Sequence, residues 1–165
     1  MIPLPPEGEL TFQPIGDLQT EAGTVIRDVT VAYQRWGEFH GDPHGRNNLI
    51  LVEHALTGDS NAVVWWDGLI GPGAPIDTDR FCVICTNVLG GCSGTTGPSS
   101  DHPDGGKWGS RFPATSIRDH VRTEAHFLEA LGITSMHAVI GGSMGGARTL
   151  EWTLMYPDWA CLLYT

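Results

Sequence analysis

The sequence is poor in positive charge, with 9 Lys and Arg against 19 Asp and Glu and a formal net charge of −10. Proteins that bind nucleic acids depend on clustered Lys and Arg side chains to neutralise phosphates. The densest basic stretch runs from Lys107 to Arg111 and contains only those two charges. The composition therefore disfavours a nucleic acid as a partner.

Long apolar runs are also missing. No stretch approaches the roughly 20 apolar residues that a helix needs to cross a bilayer. The N-terminal residues, Met-Ile-Pro-Leu-Pro-Pro-Glu, have neither the basic region nor the apolar segment of a signal peptide. These absences predict a cytoplasmic protein that has no membrane partner.

Cysteine is scarce, and the four residues at Cys82, Cys85, Cys92 and Cys161 fit a reducing compartment better than a disulfide framework. Cys82 and Cys85 have the C-x-x-C spacing of zinc and redox sites, but they fall in an apolar run typical of a buried strand. Residues three apart on a strand point to opposite faces, so we expect two diverging buried thiols. The seven histidines add no convincing ligand spacing, and no metal site is expected.

A chain of 165 residues, 41% of them hydrophobic, is long enough to bury one substantial core. Three short, continuous apolar runs, 48–53, 81–86 and 136–140, are typical of parallel strands that are covered on both faces. Before them, a turn signal at 20–24 and alternating β-formers at 29–34 predict antiparallel strands joined by a hairpin.

One helix is predicted between the second and third apolar runs. Ser116 can cap its N-terminus, and Asp119 stands where it completes a capping box. Apolar residues recur at helical spacing from Ile117 to Leu131. Gly132 follows in the C′ position, where a helix commonly ends.

A second helix is expected to begin just after Ser143 and to end before Pro157, with Ala147, Leu150 and Leu154 on one face. Strand, helix, strand, sharp turn and helix follow one another in the order typical of an α/β fold. We therefore predict an α/β domain with a mainly parallel sheet and flanking helices.

A long glycine-rich segment, 87–109, lies between the second apolar run and the first helix. Loops of this length in compact domains are usually functional or mobile. The glycines at Gly90, Gly91, Gly94 and Gly97 indicate that the backbone comes close either to a ligand or to other backbone.

The strongest chemical motif is the segment from Gly141 to Gly146, Gly-Gly-Ser-Met-Gly-Gly, which matches G-x-S-x-G between an apolar strand and a helix. A serine hydroxyl is a poor nucleophile until it is positioned against a base, and a tight strand-to-helix turn lifts its Oγ clear of the sheet. The flanking glycines are expected where the neighbouring chain passes too close for a Cβ. We predict Ser143 as a nucleophile; the alternative is a turn whose serine merely caps the helix.

Acyl transfer also needs an oxyanion hole, which consists of two donors aimed at the position where the carbonyl oxygen becomes negative. In enzymes with this motif one donor is the backbone N–H after the nucleophile, here Met144, and the other comes from the loop after an earlier strand. The segment 54–58, His-Ala-Leu-Thr-Gly, occupies that position, and we predict the Leu56 N–H as the second donor. His54 is expected to be structural, because the base follows the serine in chain order.

A series of short blocks carries a more specific signal through its order and spacing. The blocks are His54–Gly58, Trp65–Trp66, Gly68–Gly73, Asp77–Asp79, Asn87–Cys92, Gly94–Ser100, Phe112–Pro113, Ser116–Asp119, Ala130–Ile133, Gly141–Gly146 and Leu150–Trp152. From about Ile15 to Pro157, the chain resembles homoserine O-acetyltransferase.

The resemblance implies an α/β-hydrolase-type core with a helical lid, and transfer of acetyl from acetyl-CoA to the γ-hydroxyl of L-homoserine in methionine synthesis. It implies a ping-pong mechanism in which Ser143 takes the acetyl group while the Leu56 and Met144 amides hold the oxyanion. Acetyl-CoA would be a co-substrate rather than a permanently bound cofactor. The full-length family protein is expected to be a homodimer whose other partners are its small-molecule substrates.

The chain departs from the family pattern after Ser143. The family order is serine, acid and then histidine, but only the acids Glu151 and Asp158, and no histidine, follow Ser143 here. We therefore expect residues 1–165 to be a partial α/β-hydrolase domain, truncated before the lid and the C-terminal strands and inactive alone. An earlier histidine (His54, His102, His120, His126 or His137) could in principle substitute for the base, although each is more typical of a loop or helix surface.

Other functions remain open at the level of sequence. The same scaffold could use succinyl-CoA as the donor or serine as the acceptor, since few pocket residues decide that choice. A plain esterase is a second alternative, but generic hydrolases share only the serine motif and the fold, not the blocks outside it. A third alternative is a fragment that is not catalytic and acts, if at all, as a binding module.

Overall fold

A mixed sheet with helices packed against it organises the chain, which the structure, a computed structural model, describes for residues 4–164. In chain order the elements are β1 (Thr11–Gln19), β2 (Val25–Trp36), β3 (Leu49–Glu53), α1 (Ala62–Trp65), β4 (Ile70–Gly71), β5 (Ile76–Asp77), β6 (Cys82–Thr86), α2 (Ile117–Ala130), β7 (Met136–Gly141), α3 (Met144–Met155) and β8 (Ala160–Tyr164).

The large sheet has the strand order β1-β2-β6-β3-β7-β8, while β4 and β5 form a small separate pair. β1 and β2 form the expected antiparallel hairpin, β2 runs antiparallel to β6, and the remaining pairs are parallel. The chain leaves β3 towards β6 on one side and leaves β7 towards β8 on the other. The carboxyl ends of β3 and β7 therefore meet at a topological switch point, where ligands bind in open α/β sheets.

The predicted inner strands are confirmed, and every residue of β3 and β6 is buried. Their side chains alternate between two cores, one shared with α2 and α3 and the other with α1, β4 and β5. Cys82 faces the first core and Cys85 the second, so the two thiols diverge as predicted. Burial raises the pKa of Cys82 to about 12, which leaves its thiol protonated and unreactive.

Helix α2 begins and ends as its sequence predicts. The Ser116 hydroxyl accepts from the Asp119 N–H, and the Asp119 carboxylate accepts from the Ser116 N–H, which completes the capping box. Gly132 follows the helix with a φ of 79°, the left-handed conformation that glycine adopts without strain. The apolar face of α2, which includes Val121 and Phe127, packs on the sheet.

Helix α3 has the predicted limits, and Ala147, Leu150 and Leu154 lie on one face as predicted, but that face is exposed. Leu150 and Leu154 are exposed, whereas Arg148, Thr149 and Trp152 are buried. The sequence pattern misleads because the buried face carries an arginine that finds buried carboxylate partners. Hydrophobic periodicity cannot register such a pairing.

Four elements have no clear sequence signal. α1 has four residues, and β4 and β5 have two each, too few to show a period. β8 forms where the resemblance to the family is lost, and it pairs in parallel with β7 from Met136 and Ala160 onward.

The glycine-rich segment 87–109 is irregular but well anchored. Thr96 N–H donates to the Thr30 carbonyl at 3.0 Å, and the Thr95 hydroxyl accepts from the Ala32 N–H at 2.9 Å. A Cβ on Gly97 would overlap the Gly91 carbonyl oxygen. At that position the expected close approach is therefore to other backbone of the same loop.

No helix of residues 4–164 combines the length and apolar character that crossing a membrane requires.

Candidate functional site

Ser143 occupies the sharp turn between β7 and α3, at the switch point of the sheet. Its backbone has φ 59° and ψ −124°, a conformation that is strained for any residue with a side chain. Its side chain is exposed. A strained, exposed serine between a buried strand and a helix is the arrangement that the G-x-S-x-G motif predicts.

Two glycines make this turn sterically feasible. A Cβ on Gly145 would overlap the Glu53 carbonyl oxygen, and a Cβ on Gly141 would lie 2.7 Å from the Glu53 Cβ. Helix α3 thus begins directly against the end of β3. Gly142 has open space around a hypothetical Cβ, so the steric reason given for the glycines is wrong at that position.

The alternative role for Ser143, as a helix cap, is contradicted by the geometry. Ser143 is the N-cap residue of α3, but its side chain makes no capping hydrogen bond. The capping hydroxyl of Ser116 shows the contrast, because it accepts from the amide three residues further on. Within the part of the chain that the structure describes, the Ser143 hydroxyl is therefore not used as a helix cap.

The two predicted oxyanion donors lie just after the carboxyl ends of β3 and β7. Leu56 follows β3, Met144 opens α3, and both line one cavity of about 500 Å³. Neither amide donates a hydrogen bond to another group within residues 4–164. Val88, Leu89 and Phe112 contribute apolar wall to the same cavity. Two residues whose N–H groups have no acceptor within the described part of the chain thus line a cavity large enough for a small substrate, and one of them, Met144, directly follows Ser143 in the chain.

His54 is buried and has its ring nitrogens occupied. Its Nδ1 lies 2.7 Å from the Ala55 carbonyl oxygen, and its Nε2 accepts from the Val88 N–H at 3.2 Å. Burial lowers the pKa of His54, and the nearby Arg148 guanidinium lowers it further. A neutral imidazole that holds two loops together fits the structural role expected for it.

His120 is the one histidine that lines the cavity of Leu56 and Met144, within residues 4–164. Its Nε2 lies 3.1 Å from the Thr115 hydroxyl, and burial lowers its pKa. Of the other early histidines, His102 packs edge-on against Trp108. The sequence gives no reason to single out His120, since the cavity is assembled from segments far apart in the chain.

A charge cluster lies buried beneath the serine turn and was not apparent from sequence. It consists of Glu53 on β3, Glu124 on α2, and Arg148 and Trp152 on α3. Arg148 Nη1 lies 2.9 Å from Glu53 Oε2 and 2.6 Å from Glu124 Oε1. Trp152 Nε1 donates to both carboxyls, at 3.0 and 3.2 Å. The only sequence signal is an acidic residue that ends an apolar strand run.

Burial raises the pKa of Glu53 well above its usual range, and the Arg148 guanidinium only partly opposes this effect. The neighbouring Glu124 carboxyl raises the pKa of Glu53 further. Among the described residues no group of three or more His, Cys, Asp or Glu side chains could hold a metal ion.

Residues 48–159 match the family model described as alpha/beta hydrolase fold. The chain belongs to this α/β hydrolase family. The match contains the serine turn, both oxyanion candidates and the charge cluster. It also explains why β3, β7 and α3 meet as they do, since this family presents its nucleophile at a strand-to-helix turn.

Within the α/β hydrolase family the chain is similar to homoserine O-acetyltransferases. The curated homoserine O-acetyltransferase of Corynebacterium efficiens is 67% identical over 155 residues, which are 94% of this chain and 41% of the relative. The crystal structure of homoserine O-acetyltransferase from Bacillus anthracis is 30% identical with a TM-score of 0.83, covering 92% of this chain and 44% of that one. These similarities confirm the family resemblance read from the sequence blocks.

An esterase structure is also similar. The acetylester hydrolase from Corynebacterium glutamicum is 31% identical with a TM-score of 0.81, covering 93% of this chain and 42% of that one. The chain thus spans less than half the length of the relatives it matches.

Proposed function

We propose that this chain supplies the nucleophile and the oxyanion hole of an acyltransferase that moves acetyl from acetyl-CoA to the hydroxyl of L-homoserine. The observation that carries the proposal is the strained, exposed Ser143, whose side chain makes no capping hydrogen bond, next to a cavity lined by Leu56 and Met144, whose amides donate no hydrogen bond within residues 4–164. The 67% identity to a homoserine O-acetyltransferase supports the choice of substrates.

In the first half-reaction, Ser143 Oγ attacks the thioester carbonyl carbon of acetyl-CoA and gives its proton to a general base. The carbonyl oxygen becomes negative and accepts hydrogen bonds from the Leu56 and Met144 amides. The C–S bond then breaks, and CoA leaves as the thiol after taking a proton. The product is acetyl-Ser143.

In the second half-reaction, the homoserine hydroxyl attacks the acetyl-Ser143 carbonyl and loses its proton to the base. The same two amides hold the second tetrahedral oxyanion. Collapse returns the electron pair and a proton to Ser143 Oγ and releases O-acetylhomoserine. Transfer competes with hydrolysis only if water is largely excluded. Val88, Leu89 and Phe112 give the cavity an apolar wall, although the cavity of this chain is open to solvent.

The general base is not evident in this sequence, because all seven histidines precede Ser143. In relatives with this motif the acid and the histidine follow the serine. We therefore expect the 165-residue polypeptide to be inactive alone. We expect activity when the C-terminal part of the Corynebacterium efficiens relative is fused after Pro157.

A plain esterase is the second candidate, favoured by the similarity to an acetylester hydrolase. Both reactions begin with the same acetyl-serine, and they differ in whether water or an alcohol resolves it. Succinyl transfer on the same scaffold differs only in the acyl group that the cavity accepts.

The test compares CoA release by the 165-residue chain and by the fusion, with acetyl-CoA or succinyl-CoA and with homoserine, serine or no acceptor. The expected result is homoserine-dependent release from acetyl-CoA by the fusion, at least about 10³-fold above the chain alone. Ser143→Ala in the fusion should abolish release, whereas Ser99→Ala, at an exposed position, should leave it unchanged.

Three outcomes would count against the proposal. Release that is independent of the acceptor indicates an esterase. Faster release from succinyl-CoA indicates a different donor. Full activity in the Ser143→Ala fusion removes the proposed nucleophile altogether.

A further inference from the structure

We propose that the buried charge cluster fixes the position of the Leu56 amide relative to the Met144 amide, with Arg148 as the positioning residue. The proposal rests on the proposed function, because it takes Leu56 and Met144 as the two donors. It concerns a group that touches neither substrate nor the reacting atoms, and that acts through the backbone at the end of β3.

The two donors belong to different elements, so their spacing is not fixed by local structure. Met144 is the first residue of α3, whereas Leu56 lies in the loop after β3. Both N–H groups must point at one oxygen from about 2.7 to 3.1 Å away. Catalytic geometry of this kind tolerates errors of only about 0.5 Å. The end of β3 must therefore be locked to the start of α3.

Leu56 has little to hold it in place. Its side chain is 74% exposed, and its amide makes no hydrogen bond within the described residues. The loop is instead fixed on either side, by the buried His54 and by the Gly58 N–H, which donates to the Ala55 carbonyl at 2.9 Å. The position of Leu56 thus depends on where His54 is held.

Arg148 makes the connection between the two elements. It lies on the buried face of α3, one turn after Met144, and its Nη2 donates to the His54 carbonyl at 2.9 Å. The same guanidinium contacts Glu53, the last residue of β3, at 2.9 Å. The Arg148 side chain on α3 therefore contacts both Glu53, the last residue of β3, and His54, the first residue of the loop that contains Leu56.

The rest of the cluster fixes the guanidinium itself. Glu124 on α2 accepts from Arg148 Nη1 at 2.6 Å and from the Thr86 hydroxyl at 3.1 Å. Trp152 donates to Glu53 and Glu124. Four elements, β3, β6, α2 and α3, thus contribute contacts to the cluster that holds Arg148. The planar guanidinium of arginine, with five N–H donors, can hold several acceptors in fixed directions, which the lysine ammonium does less well.

Stability alone is a poor reason for such a cluster. Taking charges out of water carries a large desolvation penalty, and well-packed apolar residues in place of a buried ion pair are often neutral or stabilising. In this cluster Arg148 Nε has no hydrogen-bond partner within residues 4–164. Glu53 Oε2 also lies outside hydrogen-bond geometry despite its ion-pair distance. What the cluster supplies is a directed contact to one backbone carbonyl.

The direct test measures the backbone amides of the 165-residue chain by NMR relaxation, which needs no reaction. Two variants are compared with wild type, Arg148→Lys and the neutral triple variant Arg148→Met, Glu53→Gln and Glu124→Gln. Arg118→Lys is the control, because Arg118 is half exposed and pairs with Glu151 at 2.8 Å outside the cluster.

We expect the order parameter of the Leu56 amide to fall from about 0.85 to below about 0.6 in both Arg148 variants, with Met144 little changed. The control should match wild type. A Leu56 order parameter that is unchanged in every variant that folds overturns the proposal. If neither variant folds, the cluster is a stability element and the proposal is likewise overturned.

A second readout uses the active fusion. Arg148→Lys should lower kcat at least about 10-fold with little change in the KM for acetyl-CoA, because only the transition state needs both amides. A rise in KM with kcat unchanged contradicts positioning. If the fusion has no transferase activity, the proposed function fails while the NMR result still decides the role of Arg148.

Discussion

At the scale of single residues, the site depends on a strained backbone conformation at Ser143 and on a close backbone contact at Gly145 that leaves no space for a side chain. Ser143 adopts a positive φ of 59°, and Gly145 lets α3 start against the Glu53 carbonyl. Strain at one residue and close contact at another persist because the surrounding sheet is rigid. Substitutions here should therefore have effects that depend on position far more than on chemistry.

Gly145→Ala should destabilise the fold by about 2 to 3 kcal/mol, because its Cβ would overlap the Glu53 carbonyl and force the backbone apart. The matched control is Gly142→Ala, three residues earlier, where the Cβ meets open space. It should change the unfolding free energy by no more than about 0.5 kcal/mol. Urea denaturation of both variants measures the difference, and equal effects would show that the close contact has no energetic consequence.

Glu53→Gln should change how stability depends on pH. Because burial raises the pKa of Glu53 in the folded state above its usual 4.5, the folded protein keeps this proton to higher pH than the unfolded chain. The stabilisation is complete below about pH 4.5 and is lost as pH rises through the folded-state pKa. Wild type should therefore lose stability relative to Glu53→Gln over that window, by up to about 1.4 kcal/mol per pH unit.

The measurement is the unfolding free energy of both proteins from about pH 4.5 to about pH 9. A difference that is constant across this range would mean that Glu53 titrates normally. A difference of opposite slope would mean that its pKa is lowered.

At the scale of elements, helix α2 connects the N-terminal hairpin with the charge cluster. Its capping residue Asp119 is buried and accepts from the Glu21 N–H at 2.7 Å as well as from Ser116. Further along the same helix, Glu124 contacts Arg148. The N-terminus of α2 therefore serves both as a helix cap and as a tertiary contact.

Ser116→Ala should lower stability by about 1 kcal/mol, the usual effect of losing an N-cap. Asp119→Ala should lower the stability by more, about 2 to 3 kcal/mol, because the Glu21 and Ser116 N–H groups would also lose their acceptor. Thr153→Ala, which removes an exposed hydroxyl from α3, serves as the control and should have an effect under about 0.5 kcal/mol. Chemical denaturation tests the order, and an Asp119 effect no larger than that of Ser116 would exclude the tertiary role.

At the scale of the whole molecule, the outer face of α3 is apolar and uncovered within residues 4–164. Leu150 is 53% and Leu154 70% exposed, and they lie one turn apart on the same face. Leu162 on β8, an edge strand of the large sheet, is also exposed. Apolar side chains grouped on one face favour association.

The 165-residue chain should therefore self-associate as its concentration rises. Leu150→Gln with Leu154→Gln should weaken the association constant at least about 10-fold, since each buried leucine contributes about 1.5 to 3 kcal/mol. Val64→Gln, at another exposed apolar position on α1, is the control. Sedimentation equilibrium decides, and a monomeric wild type at all concentrations would contradict the prediction.

The sequence alone determined the order along the chain of the main strands and helices, the limits of α2 and α3, and the position of Ser143 on a strand-to-helix turn. These features are local, since apolar periodicity, caps and glycines act within a few residues of the chain. It also indicated the Leu56 and Met144 amides, through a motif and its order in the chain.

The tertiary structure alone decided which face of α3 is buried, that His120 lines the cavity, and that Glu53, Glu124 and Arg148 meet. The three charged residues lie on three separate elements, and charged residues are mostly exposed in folded proteins. A buried charge is tolerated only when its partners are in place. Those partners are brought together by the sheet order and the helix packing, which no local pattern encodes.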